Sequence, residues 1–442
     1  MFARAHSVGF LLTLSAFVQL PDLSAADSVP SRPNIVFILA DDYGTGEVGC
    51  YGADNYKTPN IDALAGGGTR FTRAYTAPLC GPSRALILTG RYAFRTGATN
   101  QDATGRMTPD RETMMPKILK QAGYATSCVG KWGQLPLGPA EFGFDDYLKF
   151  KGSGAYWNTQ QKANAYEVNG KSIKLRDDEY LPDVMHEHVT RFITANRDKP
   201  FYVYYSLSHV HTEILPTPDS VPGTKDHYAD NVTYMDKLVG KLTGLLDQLK
   251  LRDNTLIVFT GDNGSATGRA KRATIGGKAL SGAKGSMQEG GALVPLIVNW
   301  PGKTPAGVVS SDLIDSTDFV PTFAELAGTK LPQKTIIDGH SFLAQIKGEK
   351  GTPRDWIFNQ LAGMWYVRDA DWKLTQAGEL FDMSNAPFDE KLVPVESNNP
   401  AAKAARNRLQ AALTKLDPAG GIIDDGDGTG RHANRKKDKV KQ

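Results

Sequence analysis

Residues 32–44 read RPNIVFILADDYG. An unbroken apolar run, Ile35 to Ala40, stops abruptly on Asp41 and Asp42. A run without polar alternation marks a strand covered on both faces, as in a parallel sheet. Carboxylates directly after it then stand at the strand's carboxyl end, where open α/β sheets place their ligand sites. The pattern recurs along the chain. TPNIDALAGGG (58–68) opens like a helix on Thr58-Pro59 and stops on glycines. MMPKILKQAGYATSCVGK (114–131) reads as helix, glycine turn and strand. HEHVTRFITANRDKPFYVYYSLSHVH (186–211) reads as helix, then a strand that runs out into histidines. YMDKLVGKLTGLLDQLKLRDNTLIVFTGDNG (234–264) is a long amphipathic helix followed by a strand ending on Asp262 and Asn263. This alternation predicts an α/β domain with a mainly parallel central sheet, helices on both faces.

The ends of the chain read differently. Residues 1–26 carry a basic start at Arg4, an apolar stretch from Val8 to Leu20 and a small-residue exit at Ser24-Ala25-Ala26. That stretch is too short to span a bilayer as a helix and predicts a cleaved signal peptide, hence an exported protein with no membrane span. Beyond about residue 335 the segments become short, aromatic and turn-separated (IFNQ, MWYVRDADWKLTQ, GELFDMS), predicting a small antiparallel sheet with AAKAARNRLQAALTKL as a helix packed on it. The expected organisation is a catalytic domain over 27–335, a C-terminal subdomain over 336–418 and a disordered Gly/Asp-rich and basic tail over 419–442. The formal charge of +3 owes +5 to RHANRKKDKVKQ at the end, so the body is near neutral and nucleic acid is not an expected partner. Three cysteines, Cys50, Cys80 and Cys128, make no disulfide framework, and the odd count sets one of them apart.

Asp41, Asp42, Asp262 and Asn263 offer hard oxygen ligands at strand ends, which favours Ca²⁺ or Mg²⁺ over zinc. Lys131, Lys284, His209 and His211 also follow apolar or glycine-rich segments. For the lysines the commoner fate is a solvated surface, and for the histidines a capping or core-edge role. In an extended segment His209 and His211 would share one face and look into the same cleft.

CGPSRALILTGRY (80–92) resembles the signature of the type I sulfatases, Cys-x-Pro-x-Arg followed by Thr-Gly-Arg. RPNIVFILADDYGTGEVGCYG, TPNIDALAGGGTRFTRAY, LKQAGYATSCVGKW, TLIVFTGDNG, GAKGSMQEGGALVPLIVNWPG, VRDADWKL and ELFDMSN resemble further blocks of that family in family order, over roughly residues 32–390. The resemblance implies an alkaline-phosphatase-like three-layer sandwich with a smaller C-terminal antiparallel subdomain. It implies that a separate maturation enzyme, reading Pro82 and Arg84, oxidises Cys80 to Cα-formylglycine. It also implies one Ca²⁺ held by Asp41, Asp42, Asp262, Asn263 and the converted Cys80, with Lys131, His211 and Lys284 handling sulfate and Arg84 holding the hydrated aldehyde. The implied partner is a sulfated small molecule or polysaccharide.

The chemistry fits such a set. A sulfate ester is an anion, so its charge must be offset by the cation, Lys131 and Lys284 before a nucleophile approaches sulfur. One hydroxyl of the hydrated aldehyde attacks, and His211 protonates the leaving alcohol. The second hydroxyl allows collapse and sulfate release. Two departures stand out: Gly133 where the family block Gly-Lys-Trp-His carries a histidine, and Val210 where proline often precedes the catalytic histidine. The missing group is the base expected to serve sulfate release, and His209 is expected to replace it in part, so that His209→Ala would stall after one equivalent of product. The alternatives are that Gly133 reshapes the pocket, a phosphodiesterase or phosphonate hydrolase of the same superfamily, and a glycan-binding pseudoenzyme. Within the loop 138–180, Tyr156, Trp157 and Tyr166 suit either a sugar ring or a satellite core.

Overall fold

The strand read from Ile35 runs from Asn34 to Ala40 near the middle of a ten-stranded sheet. The computed structural model describes residues 1–3, 5, 32–101, 104, 107–133, 135–160 and 165–422. The expected signal peptide therefore lies almost wholly outside the described residues, as does the tail beyond residue 422. Across the sheet the strands are Val308–Asp315, Thr69–Tyr75, Leu293–Asn299, Thr255–Gly261, Asn34–Ala40, Phe201–Ser206, Ala125–Lys131, Asp146–Phe150, Ala165–Val168 and Lys171–Lys174. The five from Thr255–Gly261 to Asp146–Phe150 are mutually parallel. Leu293–Asn299 runs antiparallel to both neighbours, and its register slips between Val294 and Leu296. Pro295 stands at that slip, because it has no amide hydrogen to give the ladder.

Strand Asn34–Ala40 is buried along its whole length, and its alternate residues feed two cores. Ile35, Phe37 and Leu39 pack with Ala85, Ile87, Leu88, Ile118 and Phe323, on helices Cys80–Thr89, Met115–Lys120 and Phe319–Ala327. Val36, Ile38 and Ala40 pack with Ile61, Val189 and Leu238, on helices Pro59–Gly66, Leu181–Ala195 and Tyr228–Gln248. Burying each large apolar side chain contributes about 1.5–3 kcal/mol, so a strand flanked on both faces is held far more firmly than a half-exposed one.

The loop expected over 138–180 is partly strand. Ala165–Val168 and Lys171–Lys174 form a hairpin closed by Asn169-Gly170, both at positive φ, a turn whose twist suits antiparallel strands. Its outer strand, KSIK, is exposed throughout, and its lysines blunt the sheet edge. The C-terminal region forms the expected antiparallel sheet, of five strands: Ile357–Leu361, Met364–Arg368, Trp372–Thr375, Leu380–Asp382 and Lys391–Val393. Helix Pro400–Leu416 is capped by Asn399, which accepts from the Ala401 and Ala402 amides, and lays Ala402, Ala405, Leu409, Ala412 and Leu413 on that sheet. The same core takes in Leu86, Tyr92 and Phe94, so the C-terminal sheet closes over the helix that begins at Cys80.

Candidate active site

Asp41 and Asp42 follow the end of strand Asn34–Ala40, and Asp262 and Asn263 follow its parallel neighbour Thr255–Gly261. Lys131 ends a third strand, and His209 and His211 lie in the chain that leaves Phe201–Ser206. Parallel register thus brings four strand ends to one edge of the sheet. Helix Cys80–Thr89 points its amino end at the same place, adding the positive pole of its backbone dipole. Cys80, Asp41 and Asp42 each turn one ligand atom into a cluster within 4.8 Å.

The cations interlock with the carboxylates. Lys131 Nζ donates to both Asp41 oxygens at 2.9 and 2.7 Å. Lys284 Nζ reaches Asp42 Oδ1 at 2.5 Å. Arg84 donates to Asp262 Oδ2 at 2.7 Å, to the Lys131 carbonyl at 2.9 Å and to Ser206 Oγ. Asp42 itself has a φ of +59°, and its amide donates to Asp262 Oδ1 at 3.0 Å, so the turn between the two strand ends is pinned from both sides. Burial works against the Lys131 ammonium, yet Asp41 outweighs it and raises its proton affinity. Burial likewise opposes a charged Asp42, but Lys284 and His211 hold its carboxyl down at about 2. The Cys80 thiol is pushed up by burial in spite of both lysines, which makes the unmodified thiol a poor nucleophile near neutral pH.

The donor set fits a hard divalent cation. Asn263 gives its Nδ2 to Asp42 Oδ1 at 3.0 Å and leaves Oδ1 buried with no hydrogen-bond partner, an acceptor aimed at nothing in the protein. Carboxylate and amide oxygens are the ligands such an ion takes.

His211 donates from Nδ1 to the Thr212 carbonyl at 2.6 Å, which directs Nε2 towards Asp42 Oδ2, 3.8 Å away. Burial, helped by Lys131, lowers its pKa to about 4. His209 corrects the expectation that both histidines share a cleft. The segment is not an extended strand but a turn locked onto Asp41, whose amide donates to the His209 carbonyl while its own carbonyl accepts from Val210. The His209 ring is consequently driven into the core among Tyr156, Tyr180 and Tyr234. Its Nε2 pairs with the Tyr180 hydroxyl at 3.0 Å, and burial lowers its pKa to about 3. In that aromatic setting the ring packs against three tyrosines and spends Nε2 on Tyr180.

Tyr156 is also core: it is fully buried, and its hydroxyl donates to the Ser208 and His211 carbonyls, fixing the histidine loop. Three supporting residues carried no signal in the sequence. Ser206 receives Arg84, Gln101 Oε1 accepts the Gly81 amide at 2.9 Å, and Glu47 holds the Gly44 amide at 2.9 Å while receiving the Tyr228 hydroxyl. Their partners are mostly far away in the chain, so only the fold reveals them. All three cysteines are free.

A buried cluster of lysines, an arginine and carboxylates thus sits on the carboxyl edge of a mainly parallel sheet with helices on both faces, the architecture of the alkaline phosphatase superfamily. The Sulfatase family model matches residues 33–329, and that for the N-sulphoglucosamine sulphohydrolase C-terminal region matches residues 283–417. The chain is 35% identical to the N-acetylgalactosamine-6-sulfatase of Canis lupus familiaris, over 80% of this chain and 72% of that protein. It is 30% identical to arylsulfatase D of Homo sapiens, over 84% of this chain and 79% of that one. The crystal structure of Ps i-CgsB superposes with a TM-score of 0.78 at 30% identity, covering 93% of this chain and all of the other. The chain belongs to the sulfatase family and is a sulfuric ester hydrolase. Among the described residues no helix is long and apolar enough to cross a membrane.

Proposed function

We propose that this protein is an exported, calcium-dependent sulfatase that cleaves a sulfate ester of a sulfated carbohydrate, with Cys80 matured to an aldehyde. The observation that carries the reading is the convergence of Asp41, Asp42, Asp262 and Asn263 with Cys80, Lys131, Lys284 and Arg84 at one buried sheet edge. The carbohydrate reading draws on the similarity to Ps i-CgsB, whose structure is also known in complex with k-i-k-neocarrahexaose.

Asp41, Asp42, Asp262 and Asn263 would hold the calcium ion, whose charge offsets that of the sulfate oxygens. The hydrated aldehyde supplies an oxygen nucleophile with a second hydroxyl for the release of sulfate. Lys131 and Lys284 bring fixed positive charge to the nonbridging oxygens. Arg84 orients the residue at position 80 from a guanidinium locked by Asp262 and Ser206. His211 Nε2 is the proton carrier for the leaving alcohol. Its ring is neutral in the resting site, and an incoming sulfate monoanion favours its protonation by offsetting the lysine charges.

The test is sulfate release from an aryl sulfate and from a carrageenan-type oligosaccharide, before and after chelation, beside an aryl phosphate. Release that is lost with chelator, restored by Ca²⁺ and much slower on the phosphate is the expected result. A preference for the phosphate points to the phosphodiesterase alternative instead.

A further inference from the structure

Between the candidate metal ligand Asn263 and Lys284 the chain makes an excursion, SATGRAKRATIGGKALSGAK (265–284), with five basic residues and no acidic one. Its base is pinched shut by the Lys284 amide donating to the Ser265 carbonyl at 3.0 Å, so both ends are rooted in the site. Its body is a small ribbon, Thr274–Ile275 paired with Lys278–Ala279. Two of the segments it touches also leave that site, and a third belongs to the C-terminal region, where the Ser281 amide donates to the Pro387 carbonyl and Lys278 lies over the Phe388 ring. Ile275 bridges Ala53 and the Thr274 carbonyl accepts from the Asp54 amide, in the chain that follows Asp42. Arg269 and Arg272 pair with Asp226, in the chain that follows His211.

The charges on this loop do not cancel. Asp226 answers two arginines, and Asp54 accepts from the Gly276 and Gly277 amides at the ribbon turn. Lys271 and Lys278 are exposed. The inner lysines, by contrast, are buried and already matched to Asp41 and Asp42. An excess of like charge on one loop repels itself, and an anion lying across it relieves that repulsion.

We propose that residues 266–283 form a cationic rim that binds a second sulfate group of the same substrate, beside the ester being cleaved. The natural substrate is then a multiply sulfated carbohydrate chain rather than a monosulfated one. This rests on the hydrolase reading above and narrows its substrate class. Because Lys271 and Lys278 are exposed while Lys131 and Lys284 are buried, rim and centre meet different groups of one chain.

The test is binding of fluorescently labelled low-mass dextran sulfate to the full chain, by anisotropy, with unsulfated dextran as the uncharged arm. Steady-state KM for an aryl monosulfate is measured in parallel. The double variant Lys271→Glu/Lys278→Glu is compared with Lys436→Glu/Lys437→Glu in the basic tail. Expected is an affinity loss of about tenfold in the rim variant, a smaller loss in the tail variant, and an aryl sulfate KM unchanged in both. Unchanged affinity in the rim variant, or an equal loss in the tail variant, overturns the proposal. Failure of the hydrolase reading shows separately, as absence of sulfate release by the wild type.

Discussion

At Gly133 the backbone has a φ of +83°, and a Cβ there would stand 3.0 Å from Arg84 Cδ. Restoring the family's histidine at this position therefore strains the turn and presses on the guanidinium stem. Gly133→His is predicted to lower kcat rather than raise it, and Gly133→Ala to cost about 1 kcal/mol or more by denaturant melts. His209→Ala removes a ring from an aromatic pocket and strands the Tyr180 hydroxyl. It is predicted to destabilise the fold by about 1–3 kcal/mol while leaving turnover per folded molecule intact. A burst of one equivalent followed by a stall, in pre-steady-state kinetics, would return His209 to the chemistry. Alternation holds only inside a strand, and Phe201–Ser206 has ended before the histidines begin.

Helix Cys80–Thr89 is buried at every residue and stops at Gly90, which has a φ of +68° and packs so closely that a Cβ would meet Val320 Cβ at 2.8 Å. Gly90→Ala is predicted to cost about 1–3 kcal/mol, because the turn is left-handed and the neighbouring helix cannot retreat. At this scale the sequence was most informative. The ADD and GDN strand ends, the Thr58-Pro59 helix start and the late aromatic sheet all follow from apolar runs broken by turn residues. The edge hairpin around Asn169-Gly170 has strands of only four residues, AYEV and KSIK, too short to leave an apolar run that marks them.

Across the whole molecule, the C-terminal sheet is tied to the rest by a buried pair, Arg368 and Glu289, 2.6 Å apart, with the Tyr75 hydroxyl bonded to both. Removing one partner leaves a buried charge alone, so Arg368→Ala is predicted to cost about 3–5 kcal/mol in chemical denaturation. Acid stability has a global cause as well. Burial lowers His186 to about 4 and His209 to about 3, both below the ordinary 6.5 of the unfolded chain. The unfolded state therefore takes up protons first, and the stabilisation is full above about pH 6.5 and lost as pH falls towards 4. Buried Asp41 and Glu47, raised to about 7, and Asp315, raised to about 6, take up protons in the folded state first and oppose this over the same window. The prediction is therefore a difference: between pH 6.5 and 4 the Tm of the wild type falls relative to that of His186→Phe. Such long-range ties were not legible beforehand: Arg368, Glu289 and Tyr75 are joined only by the fold. Nor does the sequence order show how four strand ends meet; parallel register does that. On the residues that meet there rests the proposal that Cys80 is the precursor of the nucleophile and not the nucleophile itself. The most direct test is the mass of the tryptic peptide spanning residues 74–84 in catalytically active protein made with its maturation enzyme. The expected peptide has an aldehyde in place of its cysteine thiol; an intact thiol in protein that turns over sulfate esters would overturn the proposal.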